Sequence, residues 1–177
     1  CSVMANQLLG DVIDIHSGGE DNIFPHHECE IAQSCCATEN ETFAHFWFHT
    51  RFLLVDGSKM SKSKGNFYTL RDLVQMGATP AAIRLELIKT HYRSNANFTL
   101  QGLKDSQRQV ERWSRLADWL CEYAYTKINC TPLQTARDTL ISAMCDDLNV
   151  AGAIGILSEA ASKYSVDSKP SEGKGPS

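Results

Sequence analysis

The sequence predicts an α/β fold, with part of an open parallel sheet in the first third of the chain followed by an all-α helical bundle. Three observations carry this. Two β-branched or aromatic runs, residues 11–16 (DVIDIH) and 42–55 (TFAHFWFHTRFLLV), stand on either side of a helical stretch. A Gly-rich turn follows the first run, as it does at the ligand-facing ends of parallel strands. From residue 70 onward, Pro and Gly punctuate segments with helical periodicity.

Residues 11–16 with the following SGGED predict a buried strand ending in a turn near Gly18 and Gly19. In an open parallel sheet, ligands collect beyond the carboxyl ends of strands, where His16, Gly18, Gly19, Glu20 and Asp21 are expected. Pro25 suits the first position of a helix through HHECEIAQSCC, because its fixed φ fits and its missing N–H costs nothing there. That start sets His26 and Glu30 one turn apart on one face, either as a plain surface pair or as two ligands of one metal ion. Segment 42–55 is expected as a second buried strand, with Phe46, Trp47 and Phe48 in the core.

That strand leads into residues 56–67, DGSKMSKSKGNF, which set Lys59, Lys62 and Lys64 among small polar residues bracketed by Gly57 and Gly65. Such a segment packs no core; it is a solvated basic loop or one that meets phosphate. TLRDLVQMG reads as a short helix stopped at Gly77, and Pro80 opens another through Ala81, Ile83, Leu85, Leu87 and Ile88. A longer helix is expected from Leu100 to about Tyr125, with Leu103, Val110, Trp113, Ala117 and Leu120 on its apolar face. Lys104, Arg108, Arg112 and Arg115 line another face, which either follows a phosphate backbone or simply faces water among Asp105, Glu111 and Asp118. Two further helices break near Asn149, and residues 165–177 have the Ser/Gly/Pro/Lys composition of a disordered tail.

A 42% apolar fraction over 177 residues is ample for a core, while a net charge of −4 excludes bulk electrostatic coating of nucleic acid and leaves room only for local basic patches. Seven cysteines, an odd number without a CxxC pair or a secretory signal pattern, indicate a reduced, cytoplasmic location. No apolar run approaches the ~18 residues of a membrane span.

KMSKS after a strand resembles the signature loop of class I aminoacyl-tRNA synthetases, which in that family closes over the triphosphate of ATP. DIHSGGEDNIFPHHECEIAQS followed by GSKMSKSKGNF closely resembles the cysteinyl-tRNA synthetase family. The resemblance implies a partial Rossmann-like nucleotide-binding half that activates L-cysteine with ATP and magnesium and transfers it to tRNA(Cys), as a monomer. It implies one zinc ion held by Cys1, His26, Glu30 and a further cysteine upstream, with the zinc binding the substrate thiolate. Catalytic roles fall on Lys59 and Lys62. Met60, Ser61, Ser63, Gly18, Gly19, Asp21 and His49 fall at ATP. ATPAAIRLELIKTHYRSNANFT is similar to the family's segment that meets the acceptor stem, so Arg84 and Arg93, with Arg108 and Arg112 beyond it, become candidate tRNA contacts. The implied division is a catalytic part over 1–66, a connecting segment over 67–98, a helical bundle over 99–164 and the tail.

The family's HIGH turn does not occur in these residues, so the chain alone is expected not to form cysteinyl adenylate. Two other readings stay open: a ligase that joins activated cysteine to an amino sugar, and a noncatalytic tRNA-binding fragment.

Overall fold

The structure, a computed structural model, describes residues 1–123 and 130–164. The tail expected over 165–177 and the last two residues of the helix expected to run to Tyr125 lie outside the described residues. The chain is mixed α/β, with short sheets first and a helical part after them. It divides into two compact units, residues 1–53 with 92–96, and residues 54–91 with 97 onward.

The first unit opens with α1 (Ser2–Leu9), then β1 (Ile13–Gly19), α2 (Glu28–Thr38) and β2 (Ala44–Thr50). β1 and β2 pair in parallel from Ile13 opposite Ala44 to Gly19 opposite Thr50. The ladder therefore runs through both glycines, and the expected turn comes only at Glu20–Asn22, because strand pairing outweighs the low β propensity of Gly. The burial differs from expectation too. Ile13, Phe43 and Ala44 form a small core with Ala5, Ile31, Cys35 and Trp47, yet Ile15 and Phe46, opposite one another in the register, are 66% and 70% exposed. Trp47 and Phe48 are half-buried. Successive strand residues point to opposite faces, so the aromatic run splits between the two sides of the sheet and does not fill one core.

Pro25 does not open α2. The Phe24–Pro25 peptide is cis, Phe24 is extended, and Ile23–His27 form an irregular turn before the regular helix starts at Glu28. The run expected as one strand over 42–55 is likewise broken after Thr50, where Arg51 N donates to Tyr92 O and Ala96 N donates to Phe52 O.

A second sheet has the order β4-β3-β5, formed by β3 (Leu53–Val55), β4 (Ser58–Lys59) and β5 (Ala96–Phe98), and all of it but Leu53 and Ala96 belongs to the second unit. Asp56 and Gly57, with φ of 49° and 73°, make the tight β3–β4 hairpin turn, since Asp and Gly tolerate the left-handed region such turns demand. Helices α3 (Leu70–Gln75) and α4 (Pro80–Ile88) follow, each begun by a threonine cap. Gly77, at φ 93°, stops α3, as its freedom at positive φ predicts. Val55, Leu73, Ala82, Ile83, Phe98 and Leu103 make the core of this unit.

Helix α5 (Leu100–Glu122) packs on α4, and α6 (Thr131–Cys145) packs on α7 (Val150–Ser162), whose cap is Asn149. A second core joins Leu116, Trp119, Ala161 and Tyr164. The buried stripe of α5 runs through Leu103, Ser106, Leu116 and Trp119, whereas Ala117, expected on it, is exposed. Leu116 is the larger apolar group one position away, so it takes the core and turns Ala117 out. Among the described residues, no helix is long and apolar enough to cross a membrane, and all seven cysteines are free.

Candidate functional site

The first unit gathers imidazoles, a carboxylate and a thiol at the carboxyl end of β1. His16 comes from the strand, His26 and His27 from the irregular turn, Glu30 from the first turn of α2, His49 from the end of β2, and Cys1 from the residue before α1. Cys1, His26 and Glu30 each bring one ligand atom within 4.8 Å of the others. His26 is not in the helix, yet its Nε2 still lies 3.6 Å from Glu30 Oε1. With bonds of about 2.1 Å to nitrogen and oxygen, the edge of a tetrahedral site is about 3.4 Å. The donor set of thiol, imidazole and carboxylate, at that spacing, suits zinc.

Glu30 is 4% exposed, and a buried carboxylate needs partners. Its second oxygen, Oε2, sits 2.7 Å from His16 Nε2, which fixes the carboxylate while leaving Oε1 toward His26. Outer hydrogen bonds of this kind orient metal ligands. His27, also 4% exposed, stands behind this group with its Nδ1 2.8 Å from His49 Nε2. Burial, then the neighbouring His16 and His49, push the His27 pKa below its ordinary value, partly offset by Glu30. Gly18 faces this ring. A Cβ there would come within 2.8 Å of His27 Cε1 and 2.9 Å of its Nε2, so no other residue leaves room for the imidazole. Trp47 completes an apolar wall, with ring centroids 4.9 Å from His16 and 5.2 Å from His27.

The remaining expected residues of this unit lie at the same strand end. Gly19 closes β1, Asp21 is exposed in the turn after it, and His49 reaches the cluster through His27. Arg51 pairs with Glu20 at 2.7 Å. Arg93 is exposed, with its guanidinium 5.0 Å from the Tyr92 ring centroid. Sequence reasoning left out His27 and gave His16 no defined role. The doubled histidine before Glu30 was the available signal for His27, but nothing in spacing says that Gly18 makes a seat for one ring.

The lysine loop belongs to the second unit. Lys59 is exposed on β4, and Lys62–Lys64 form a single 3-10 turn. The Lys62 side chain lies outside the described residues. Met60, expected among nucleotide contacts, packs against the Val55 core and so anchors the loop. Ser61 and Ser63 bond each other through their hydroxyls at 2.8 Å. Asn66, absent from the expected set, ties the segment together. Its Oδ1 accepts from Ser61 N at 2.9 Å, and its Nδ2 donates toward Lys59 O at 3.3 Å and Val55 O at 3.4 Å. Gly65, at φ 67°, supplies the left-handed residue beside it. Of the candidate tRNA contacts in this unit, Arg84, Arg108 and Arg112 are exposed, and Arg108 is ion-paired with Asp105.

Comparison with known proteins points the same way as these residues. The sequence matches the family described as tRNA synthetases class I (C) catalytic domain over residues 1–108. Curated relatives include a cysteine–tRNA ligase of Brachyspira hyodysenteriae, 47% identical over 163 residues, covering 89% of this chain and 34% of the relative. A cysteine–tRNA ligase of Leptospira interrogans is 40% identical over 183 residues, covering 98% of this chain and 39% of the relative. One from Chlamydia trachomatis is 42% identical over 165 residues, covering 89% and 34%. The chain thus spans about a third of the length of the curated relatives it matches. Among solved structures, a LeuRS–tRNA–LeuAMS ternary complex from Agrobacterium radiobacter K84 is similar in fold, with TM-score 0.66 at 20% identity, over 84% of this chain and 22% of that one.

Proposed function

Because the chain belongs to the class I (C) tRNA synthetase catalytic domain family, we propose that it carries the cysteine-selecting and phosphate-directed parts of a cysteine–tRNA ligase, which activates L-cysteine with ATP and magnesium and transfers it to tRNA(Cys). The observation that carries this reading is the convergence, at metal-ligand spacing, of Cys1 with the His26 and Glu30 pair, which is distant from it in sequence.

Cysteine and serine differ by one atom, and an apolar pocket separates such close analogues poorly. A zinc ion held by Cys1, His26 and Glu30 supplies a preference for thiolate that packing does not. His16 keeps the Glu30 carboxylate aimed, and Gly18 keeps the His27 ring seated behind it. Gly19, Asp21 and His49 serve the nucleotide side of the same strand end, in keeping with ligand binding beyond the carboxyl ends of parallel strands.

Lys62 and, secondarily, Lys59 act on the triphosphate. Phosphate-directed ammonium groups matter most when charge moves toward the leaving pyrophosphate, so their effect falls on the rate of activation more than on binding of cysteine. Ser61 and Ser63, on either side of Lys62 and bonded to each other, lie with it at the triphosphate, and Met60 and Asn66 anchor the loop. Arg84, Arg93, Arg108 and Arg112 meet the backbone of tRNA(Cys), as exposed guanidinium groups suited to phosphate.

The test is cysteine-dependent exchange of pyrophosphate into ATP. The 177-residue chain alone is expected to show none, and a polypeptide that joins it to the rest of a ligase is expected to show exchange. In that polypeptide Lys62→Ala lowers the activation rate roughly 10²–10³-fold, the usual cost of losing one preorganised charge donor. Exchange unaffected by Lys62→Ala overturns the assignment, and transfer of cysteine to an amino sugar in preference to tRNA replaces it with a different ligase.

A further inference from the structure

The second unit has a hollow of its own, between the end of α3 and the first half of α5, with a volume of about 360 Å³. Cavities of this size hold small molecules. Met76, Ala78, Leu100 and Leu103 give it an apolar wall, and its polar groups lie together along α5. Most of those polar groups are already engaged. Gln107 Oε1 accepts from Thr79 N at 3.1 Å and from Thr79 Oγ1 at 2.8 Å, while Gln107 Nε2 donates to Glu111 Oε1 at 2.8 Å. Arg108 is ion-paired with Asp105. Lys104 is exposed and has no ion-pair partner among the described residues. An apolar wall beside one uncommitted cation is complementary to a small molecule that is mostly hydrocarbon and carries a negative charge.

The other side of the wall supports the lysine loop. Leu103, 5% exposed, sits in the core with Val55, and Ala78, Leu100 and Met60 all pack against that core. Met60 stands between Lys59 and Lys62 in the chain, so the loop and the hollow lean on one set of side chains. We propose that the hollow is a regulatory site for a small apolar anion, held by Lys104 against Met76, Ala78, Leu100 and Leu103, and that its occupancy steadies the lysine loop through Leu103 and Met60. An occupant gives Leu100 and Leu103 contacts on their open side. Close-packed interiors pass such restraint on to the next side chain, here the anchor of the loop. Binding stands apart from the ligase reading, and only its consequence for activation by ATP rests on that reading.

The probe is anilinonaphthalene sulfonate, an aromatic hydrocarbon with one sulfonate, titrated into the 177-residue chain and followed by its fluorescence. Phenylnaphthylamine, the same rings without the charge, is the comparison, and the sulfonate is expected to bind more tightly. Lys104→Glu, at an exposed position, should weaken the sulfonate roughly 3–10-fold and leave the uncharged dye unchanged. Met76→Glu, also at an exposed position, should weaken both dyes, because it sets a charge on the apolar wall. Lys163→Glu, at the end of α7, should alter neither. With the sulfonate at saturation, amide hydrogen exchange should slow at Leu103 and at Ser61. A sulfonate affinity indifferent to both Lys104→Glu and Met76→Glu overturns the site, and equal affinity for the two dyes overturns its preference for an anion. Ser61 exchange that ignores the bound dye overturns the link to the loop. Should one variant fail to fold, as read by circular dichroism, the other decides. None of these readouts uses catalysis, so a failure of pyrophosphate exchange counts against the ligase reading alone.

Discussion

Glu30 shows how much of the site rests on single atoms. Its spacing from His26 was legible in the sequence, because residues four apart meet on a helical turn, and their contact survives although the helix begins only at Glu28. The two rings that hold Glu30 and fill the space behind it were less legible. His16 reaches Glu30 from 14 residues away and His27 reaches His49 from 22, and separations of that length are set by strand pairing, which no local pattern encodes. Gly18 is the most exacting of these positions. Gly18→Ala should drive the His27 ring from its seat, lowering zinc affinity about 10–100-fold in a chelator competition titration. The overpacked strand end should also cost ~1–3 kcal/mol in urea unfolding. At residue scale in the other unit, Asn66→Ala removes three bonds that close the lysine loop. Faster amide exchange at Ser61, without a change in global unfolding midpoint, is the expected result.

The helix boundaries at Gly77 and Pro80 were legible because their signals are local, and the structure adds the threonine caps. Thr79 before Pro80 begins α4, and its Oγ1 accepts from Ala82 N; Thr79→Ala should cost about 1 kcal/mol in chemical denaturation. At α3, the Thr69 hydroxyl and backbone N–H both donate to Asp72, and these bonds hold the Asp72 carboxyl below its usual pKa. A carboxyl depressed in the folded state stabilises above its unfolded pKa and loses that contribution as pH falls through the folded value. Protection of the first α3 amides should therefore fade on acidification below the ordinary carboxylate range, and Asp72→Asn should remove that pH dependence.

Between elements the sequence was silent. α4 and α5 meet around Glu86, a buried carboxylate that accepts from Ser106 Oγ at 2.6 Å and pairs with Lys89 Nζ at 2.6 Å, and nothing in either helix's periodicity marks a charge at that contact. Ser106→Ala, which leaves a buried carboxylate short of a donor, should destabilise by ~1.5–3 kcal/mol. The start of α2 was misplaced for a related reason. Pro25 fits a helix start by propensity, but the chain needs the preceding turn to bring His26 and His27 to the strand end, and tertiary demand overrides a weak local preference.

On the scale of the whole molecule, a negative net charge and local basic groups coexist, and the fold class follows from alternating strands and helices that any reader of the sequence can see. What the sequence did not reveal is that β1 and β2 leave Ile15 and Phe46 exposed, since hydrophobicity records what can be buried and says nothing of what covers it. Of the proposed roles, cysteine selection is the most specific to this chain, and it depends on one metal ion with an open position for sulfur. The direct measurement is X-ray absorption at the zinc edge of the chain loaded with one equivalent of zinc, with and without L-cysteine. The expected result is a zinc ion with one sulfur neighbour that gains a second on addition of L-cysteine and does not change with L-serine. A sulfur count that ignores L-cysteine, or a shell without sulfur that persists in Cys1→Ser, would contradict it.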